Sequence, residues 1–251
     1  MNAAIRRAFE ILEYLTTESD RTGEGVSAIA RALGMPKSSA FDVLDTLTEL
    51  GYVECLDNKR YRAGHKAAYL GYKTIEDHVS WAVTRKHLEQ LNKEIGYTVM
   101  AGIELGSNVV FTDKLPPKKG MHVSGAIGST KPIHVSAIGK AILASHSDEE
   151  IVSIVGTPCF IPYTRNSIIN INQLLKNVRM IRKNGFAVNN FEEDDYVYGI
   201  AAPVYDANRR VCEAIGFSGF HQELQSENLQ MLAEKVKKCA DAISEELKSM
   251  N

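Results

Sequence analysis

The chain has 251 residues, 44% of them hydrophobic and 24% charged, with a formal net charge of −2. That length accommodates one large domain or two ordinary ones, and no stretch approaches the roughly 18 uninterrupted apolar residues of a membrane span. The charge balance speaks against nucleic-acid binding through bulk charge. Residues 1–66 carry nine Lys or Arg against ten Asp or Glu, so any DNA affinity must come from where the cations sit and from doubling in a dimer.

Residues 1–7 lack the apolar core of a signal peptide and run straight into an amphipathic helix, so a cytoplasmic protein is expected. Cys55, Cys159, Cys212 and Cys239 are far apart and form no CxxC pair, which fits reduced thiols better than disulfides or a zinc cluster. No cofactor is expected.

Residues 4–16 read as a helix with Ile5, Ala8, Phe9, Leu12 and Leu15 on one face. Residues 18–25 are polar and read as a flexible connection. Two short helices follow. Ser27 is placed to accept a hydrogen bond from the first free amides of one, and Ile29, Ala30 and Leu33 give it an apolar face. Gly34 ends it, Pro36 opens the next, and Val43, Leu44 and Leu47 are that second helix's buried face. Helix, tight turn and helix make a helix-turn-helix unit, whose second helix can enter a DNA major groove. Taken alone, the pair fits plain packing in a small helical domain as well as it fits DNA reading. Residues 51–56 and 61–63 then read as strands around a turn at 57–60. A hairpin there makes a winged helix-turn-helix, with Lys59 and Arg60 at its tip and Arg62 at its base, the charges that phosphate or minor-groove contact requires.

Residues 65–82 carry an apolar stripe of Ala67, Ala68, Leu70, Ile75 and Val79, with Trp81, the only tryptophan. The stretch is either an ordinary packing helix or a linker helix where two subunits meet. Beyond residue 83 the elements alternate: helix 85–95, strands 97–103 and 109–113, then a glycine-rich passage through Gly120, Gly125 and Gly128. A short helix follows at 137–144, with a capping box at Ser147 for the next. Helix 172–183, strands 186–191, 199–205 and 211–217, and a closing helix from about Ser226 to Leu247 complete an α+β domain with an antiparallel sheet. Helices at the two ends of the domain are expected to cover that sheet.

No catalytic set is evident. There is no HExxH, no GxSxG elbow, and His134 between two apolar residues reads as a structural histidine. His122, Ser124, His134, Ser136 and Lys140 cluster with glycines, and Glu192, Glu193, Asp194 and Asp195 form an acidic run that reads as a solvated loop. Ala137, Gly139 and Ala141 beside an acidic loop suit a concave pocket, so binding is favoured over turnover.

Three stretches together resemble the IclR family of bacterial transcriptional regulators over nearly the whole length. They are residues 7–12 with the helix-turn-helix at 26–53; residues 132–144, PIHVSAIGKAILA; and Glu192-Glu193 followed by residues 200–206, IAAPVYD. The resemblance implies a winged helix-turn-helix over 1–64, a linker and dimerisation helix over 65–82, and a GAF-like effector-binding domain over 83–251. It implies a homodimer, or a dimer of dimers, on double-stranded operator DNA. Repression of a catabolic operon, relieved by a small organic acid or sugar acid, is the expected activity. By similarity, Val123, Ala137, Ile138, Glu192, Gly199, Gly216 and Ser218 line the effector site. Ser27, Lys37, Ser38, Ser39, Phe41, Asp42, Lys59, Arg60 and Arg62 are the expected DNA contacts. Two departures stand out: Asp42 lies where relatives carry a basic residue, and Gly199 lies where several carry a pocket cysteine. The competing expectation is a small-molecule-binding protein or enzyme whose winged helix serves protein interaction.

Overall fold

A computed structural model describes residues 2–17, 22–77, 79–123, 125–156, 160–225 and 227–250, with the backbone alone for 75–77 and 79. Ser124, Pro158, Cys159, Ser226 and the side chains of Ile75 and Val79 lie outside the described residues. The chain divides into two units, Met1–Val79 and Ser80–Asn251.

The first unit packs three helices, α1 (Ala3–Thr17), α2 (Val26–Ala32) and α3 (Lys37–Glu49), against a small sheet. The sheet holds β1 (Glu24–Gly25), β2 (Val53–Cys55) and β3 (Arg60–Ala63) in the order β1-β3-β2. Ile11, Leu15, Ile29, Leu44, Leu47, Val53 and Tyr61 meet in its core. Between α2 and α3, Gly34 adopts φ +59°. Its amide reaches the Arg31 carbonyl at 3.3 Å and the Met35 amide that of Ala30 at 2.9 Å. These are the paired bonds of a Schellman ending, which an L side chain at Gly34 would strain. Helix α4 (His65–Asp77) closes the unit.

Two expectations change here. The connection before α2 is not all loop, because Glu24 and Gly25 pair with Tyr61 and Arg60 as an added strand. That pairing carries the chain into α2 two residues early: Gly25 holds the cap position without a side-chain bond, and Ser27 lies inside the helix rather than capping it.

The second unit is built on a six-stranded antiparallel sheet. Its strands are β4 (Thr98–Leu105), β5 (Asn108–Leu115), β6 (Thr130–Pro132), β7 (Ala187–Asn190), β8 (Val197–Tyr205) and β9 (Val211–Phe220). They lie in the order β6-β5-β4-β9-β8-β7. After the single turn α9 (His221–Leu224), the closing helix α10 (Leu229–Ser249) joins α5 (Val79–Ile95) to cover one face, burying Leu88, Leu91, Val236 and Ile243 against Val99, Ile215 and Phe217. The opposite face is covered by α6 (Ala137–Leu143), α7 (Asp148–Val155) and α8 (Ile171–Asn184). The terminal helices therefore share one face instead of covering the sheet alone. Residues 79–82, read with the preceding helix, belong to α5. The capping box at Ser147 is present in full.

The strands facing α6 carry Gly102, Ala187, Ala201, Ala214 and Gly216. A Cβ at Gly102 would stand 3.0 Å from the Ile138 side chain, and one at Gly216 would stand 2.3 Å from the Ile200 carbonyl oxygen. Small residues thus let α6 settle close to the sheet, and the space that remains at its N-terminal end is the cavity described next.

Candidate functional site

The outer surface of the helix-turn-helix is formed by α3. Lys37 and Ser38 are exposed and Ser39 half-buried in its first turn, where the amides have no intrahelical acceptor. Phe41, a large aromatic side chain, is 50% exposed. Asp42, Asp45 and Glu49 are exposed on the same helix. One lysine therefore faces three carboxylates on the element best shaped to enter a groove. In the hairpin, Lys59 stands at the turn with φ +57° and is exposed. The two wing arginines are already engaged within the unit. Arg60 donates from Nε and Nη2 to the Gly23 carbonyl at 2.8 and 2.5 Å. Arg62 donates from Nε and Nη2 to Glu54 Oε2 at 2.9 and 2.8 Å, across the β2–β3 pair. Both arginines stay about 40% exposed, so phosphate could still reach them by competing with these partners.

In the second unit a cavity of about 90 Å³ opens between α6 and the sheet, room for several waters or one small organic molecule. Of the expected effector residues, Val123, Ala137, Ile138, Gly216 and Ser218 line it. A polar row crosses the sheet there. Asn189, Gly199, Ser218 and Thr98 lie side by side on β7, β8, β9 and β4. Gly199 keeps the row open: a Cβ would come within 3.2 Å of Ser218 Oγ. Thr98 Oγ1 is buried without a hydrogen-bond partner.

Glu192 does not line the cavity. Lys140, fully buried on α6, donates to both Glu192 carboxylate oxygens at 2.6 and 2.5 Å and to the Val188 carbonyl at 2.7 Å. Burial pushes the Lys140 pKa down and that of Glu192 up, and their pairing opposes both shifts. The acidic run is thus not simply a solvated loop, because its first member is an internal counter-ion. Gly139 and Ala141 likewise serve packing: a Cβ at Gly139 would overlap the Ile133 carbonyl, and Ala141 is buried in the core. His134 is buried edge-on to Phe160, and burial followed by the nearby Lys140 lowers its pKa, as befits a neutral structural imidazole.

Lys131, Asn189, Glu193 and Asp194 also line the cavity. Lys131 on β6 forms an ion pair with Glu193 and lies over the Phe111 ring, 5.8 Å from its centroid. The edge strand β6 was hidden in the glycine-rich passage, which obscured Lys131. Asn189 did leave a signal, a polar residue two positions from Ala187 on the inward face of a strand.

A winged helix-turn-helix joined to an α+β unit with a small-molecule-sized cavity defines a ligand-responsive DNA-binding protein. The helix-turn-helix model of the IclR family matches residues 4–56, and the model described as "Bacterial transcriptional regulator IclR C-terminal" matches residues 73–245. The chain belongs to the IclR family, whose members are DNA-binding transcriptional regulators. It is 28% identical to the HTH-type transcriptional repressor AllR of Escherichia coli over 246 residues, covering 96% of this chain and 89% of that one. The crystal structure of Thermotoga maritima IclR matches with a TM-score of 0.71 and 27% identity over 97% of this chain and 98% of that one. The fold is also shared, at a TM-score of 0.81 and 18% identity, with an IclR homologue from Microbacterium hydrocarbonoxydans complexed with 4-hydroxybenzoate, over 98% and 100% of the two chains.

Proposed function

We propose that this regulator represses a catabolic operon and is released from its operator by a small organic acid bound between α6 and the sheet. The observation that carries the reading is the cavity itself, a small-molecule-sized space whose apolar lining is interrupted by a lysine, an asparagine, two serines and the carboxylates of Glu193 and Asp194. The repressor AllR and the 4-hydroxybenzoate complex of a fold relative support it. The DNA would be held by Lys37, Ser38 and Ser39 at the start of α3, by Phe41 against base edges, and by Lys59, Arg60 and Arg62 from the wing, with Ser27 nearby on α2. The working segments are the reader over 1–64, a dimerising linker over 65–82 and the effector domain over 83–251. The protein acts in the cytoplasm as a dimer or a dimer of dimers, and it carries out no catalysis. Coupling of about 1–3 kcal/mol between effector and operator would suffice for control.

A second reading, that the winged helix binds a protein, draws on Asp42, Asp45 and Glu49 along α3 and on the internal pairing of Arg60 and Arg62. Salt dependence separates the two. Fluorescence anisotropy on duplexes recovered from a genomic fragment selection is expected to give affinities that fall steeply with salt, with two half-sites protected. A monomer that recovers no specific fragment, or a slope near zero, would sink the repressor and leave the protein-binding reading.

A further inference from the structure

Taking the cavity as the effector site proposed above, we propose that Lys131 is its carboxylate receptor. Glu193 is then a competitor built into the chain, a carboxylate that an acidic effector must displace. The two side chains meet at the cavity lining as an ion pair, each about a quarter exposed. Lys131 has a fixed place to wait, because its stem lies on the edge strand and its ammonium over Phe111. A second ammonium, that of Lys114, is tied close by to the Val123 and Gly125 carbonyls at 2.7 and 2.6 Å. Once Glu193 swings away, an incoming anion meets the two ammoniums of Lys131 and Lys114 against one remaining lining carboxylate, Asp194.

The backbone on either side of Glu193 is pinned, so the exchange needs a side-chain rotation and no unfolding. Lys140 holds the Glu192 side chain, Asn189 Oδ1 accepts from the Glu192 amide at 2.8 Å, and Ser167 Oγ donates to the Glu192 carbonyl at 2.6 Å. Thr164 Oγ1 donates to the carbonyl of Phe191, which sits at φ +60°. On the far side, Asp194 Oδ1 accepts from the Tyr196 amide at 2.8 Å. Glu193 is left between these anchors with Lys131 as its side-chain partner. An exposed carboxylate regains water when it leaves, whereas the cavity lysine gains the effector in its place. The hydroxyl of Ser218, on the cavity lining, remains for the polar remainder of the ligand.

The test uses the full-length protein and four acids, acetate, pyruvate, benzoate and 4-hydroxybenzoate, each beside its uncharged amide. Binding is read by thermal shift and calorimetry. At least one acid is expected to bind and its amide to bind far more weakly. Glu193→Gln should then tighten that acid by about ten- to a hundredfold, the worth of a charge-assisted hydrogen bond no longer contested. Lys131→Met should erase the preference for acid over amide, and Lys131→Arg should restore it, with circular dichroism melts confirming that the variants fold. If Glu193→Gln weakens every acid, Glu193 is itself a ligand group and the proposal is overturned. If an amide binds the wild type as well as its acid does and releases duplex DNA, the cavity remains an effector site and the role of Lys131 falls. If no acid or amide acts on either the wild type or Glu193→Gln, both the receptor and the acid-effector reading fall.

Discussion

The two units place their functional charges in opposite ways. In the first, the groups suited to meet DNA lie on the surface and are balanced there, Arg62 by Glu54 and Lys37 by the acids farther along α3. In the second, the decisive charges are buried or half-buried and are paired across elements, Lys140 with Glu192 and Lys131 with Glu193. A surface pair is worth little and is easily exchanged for phosphate, whereas a buried pair is costly to break from one side. The reader is therefore tuned for reversible contact. The effector unit carries one fixed pair that holds its acidic loop and one looser pair at the cavity.

If that contrast is right, removing one member of the fixed pair should do the most damage. Lys140→Met strands Glu192 in the interior and is expected to cost about 3–5 kcal/mol. Urea denaturation followed by Trp81 fluorescence reads that loss, and most of it should return in the double variant with Glu192→Gln. In the reader, Leu44→Ala empties a fully buried site and should cost about 3 kcal/mol. Duplex binding should fall while the Trp81-monitored transition stays in place; a matching loss there would mean that the units do not melt separately.

A third test concerns Glu213, buried on β9, with one oxygen accepting from Thr84 Oγ1 and the other without a partner. Burial, with Asp113 adding to it and Thr84 opposing, raises its pKa from 4.5 to about 7. The folded state holds this proton more tightly than the unfolded chain does. Its contribution is full below about pH 4.5 and is lost as pH rises to about 7. Glu213→Gln should therefore gain on the wild type by up to about 3 kcal/mol across that window, seen as a difference between their stability–pH curves. A constant difference would mean that Glu213 does not titrate there. The smallest effect belongs to the surface. Asp42→Arg should raise affinity for random duplex by a few-fold and steepen the salt slope by about one phosphate contact; no change in the slope would place residue 42 away from DNA.

Periodicity and punctuation made most of the fold legible. Apolar residues at three- and four-residue spacings marked α2 and α3 and located α1, although Ile5 and Phe9 of the face expected there are exposed and Ile11 is buried instead, and Gly34, at positive φ, marked a helix end. The strands that escaped were β1 and β6, of two and three residues, too short to show an alternation. The cavity was legible only in part. Val123, Ala137, Ile138, Gly216 and Ser218 came from family resemblance, which points to positions and says nothing about charge. Lys131 and Glu193 lie 62 residues apart, and no local pattern announces that such residues will pair. The same limit misplaced Glu192, since adjacent acids look alike until a buried lysine selects one of them.

The most direct measurement is anisotropy of a labelled duplex from upstream of the protein's own gene, titrated with the full-length chain with and without the acid that stabilises it most. The expected result is salt-sensitive binding that the acid, and not its amide, weakens by about five- to a hundredfold. Binding to that duplex that no stabilising acid alters would contradict acid control of the reader.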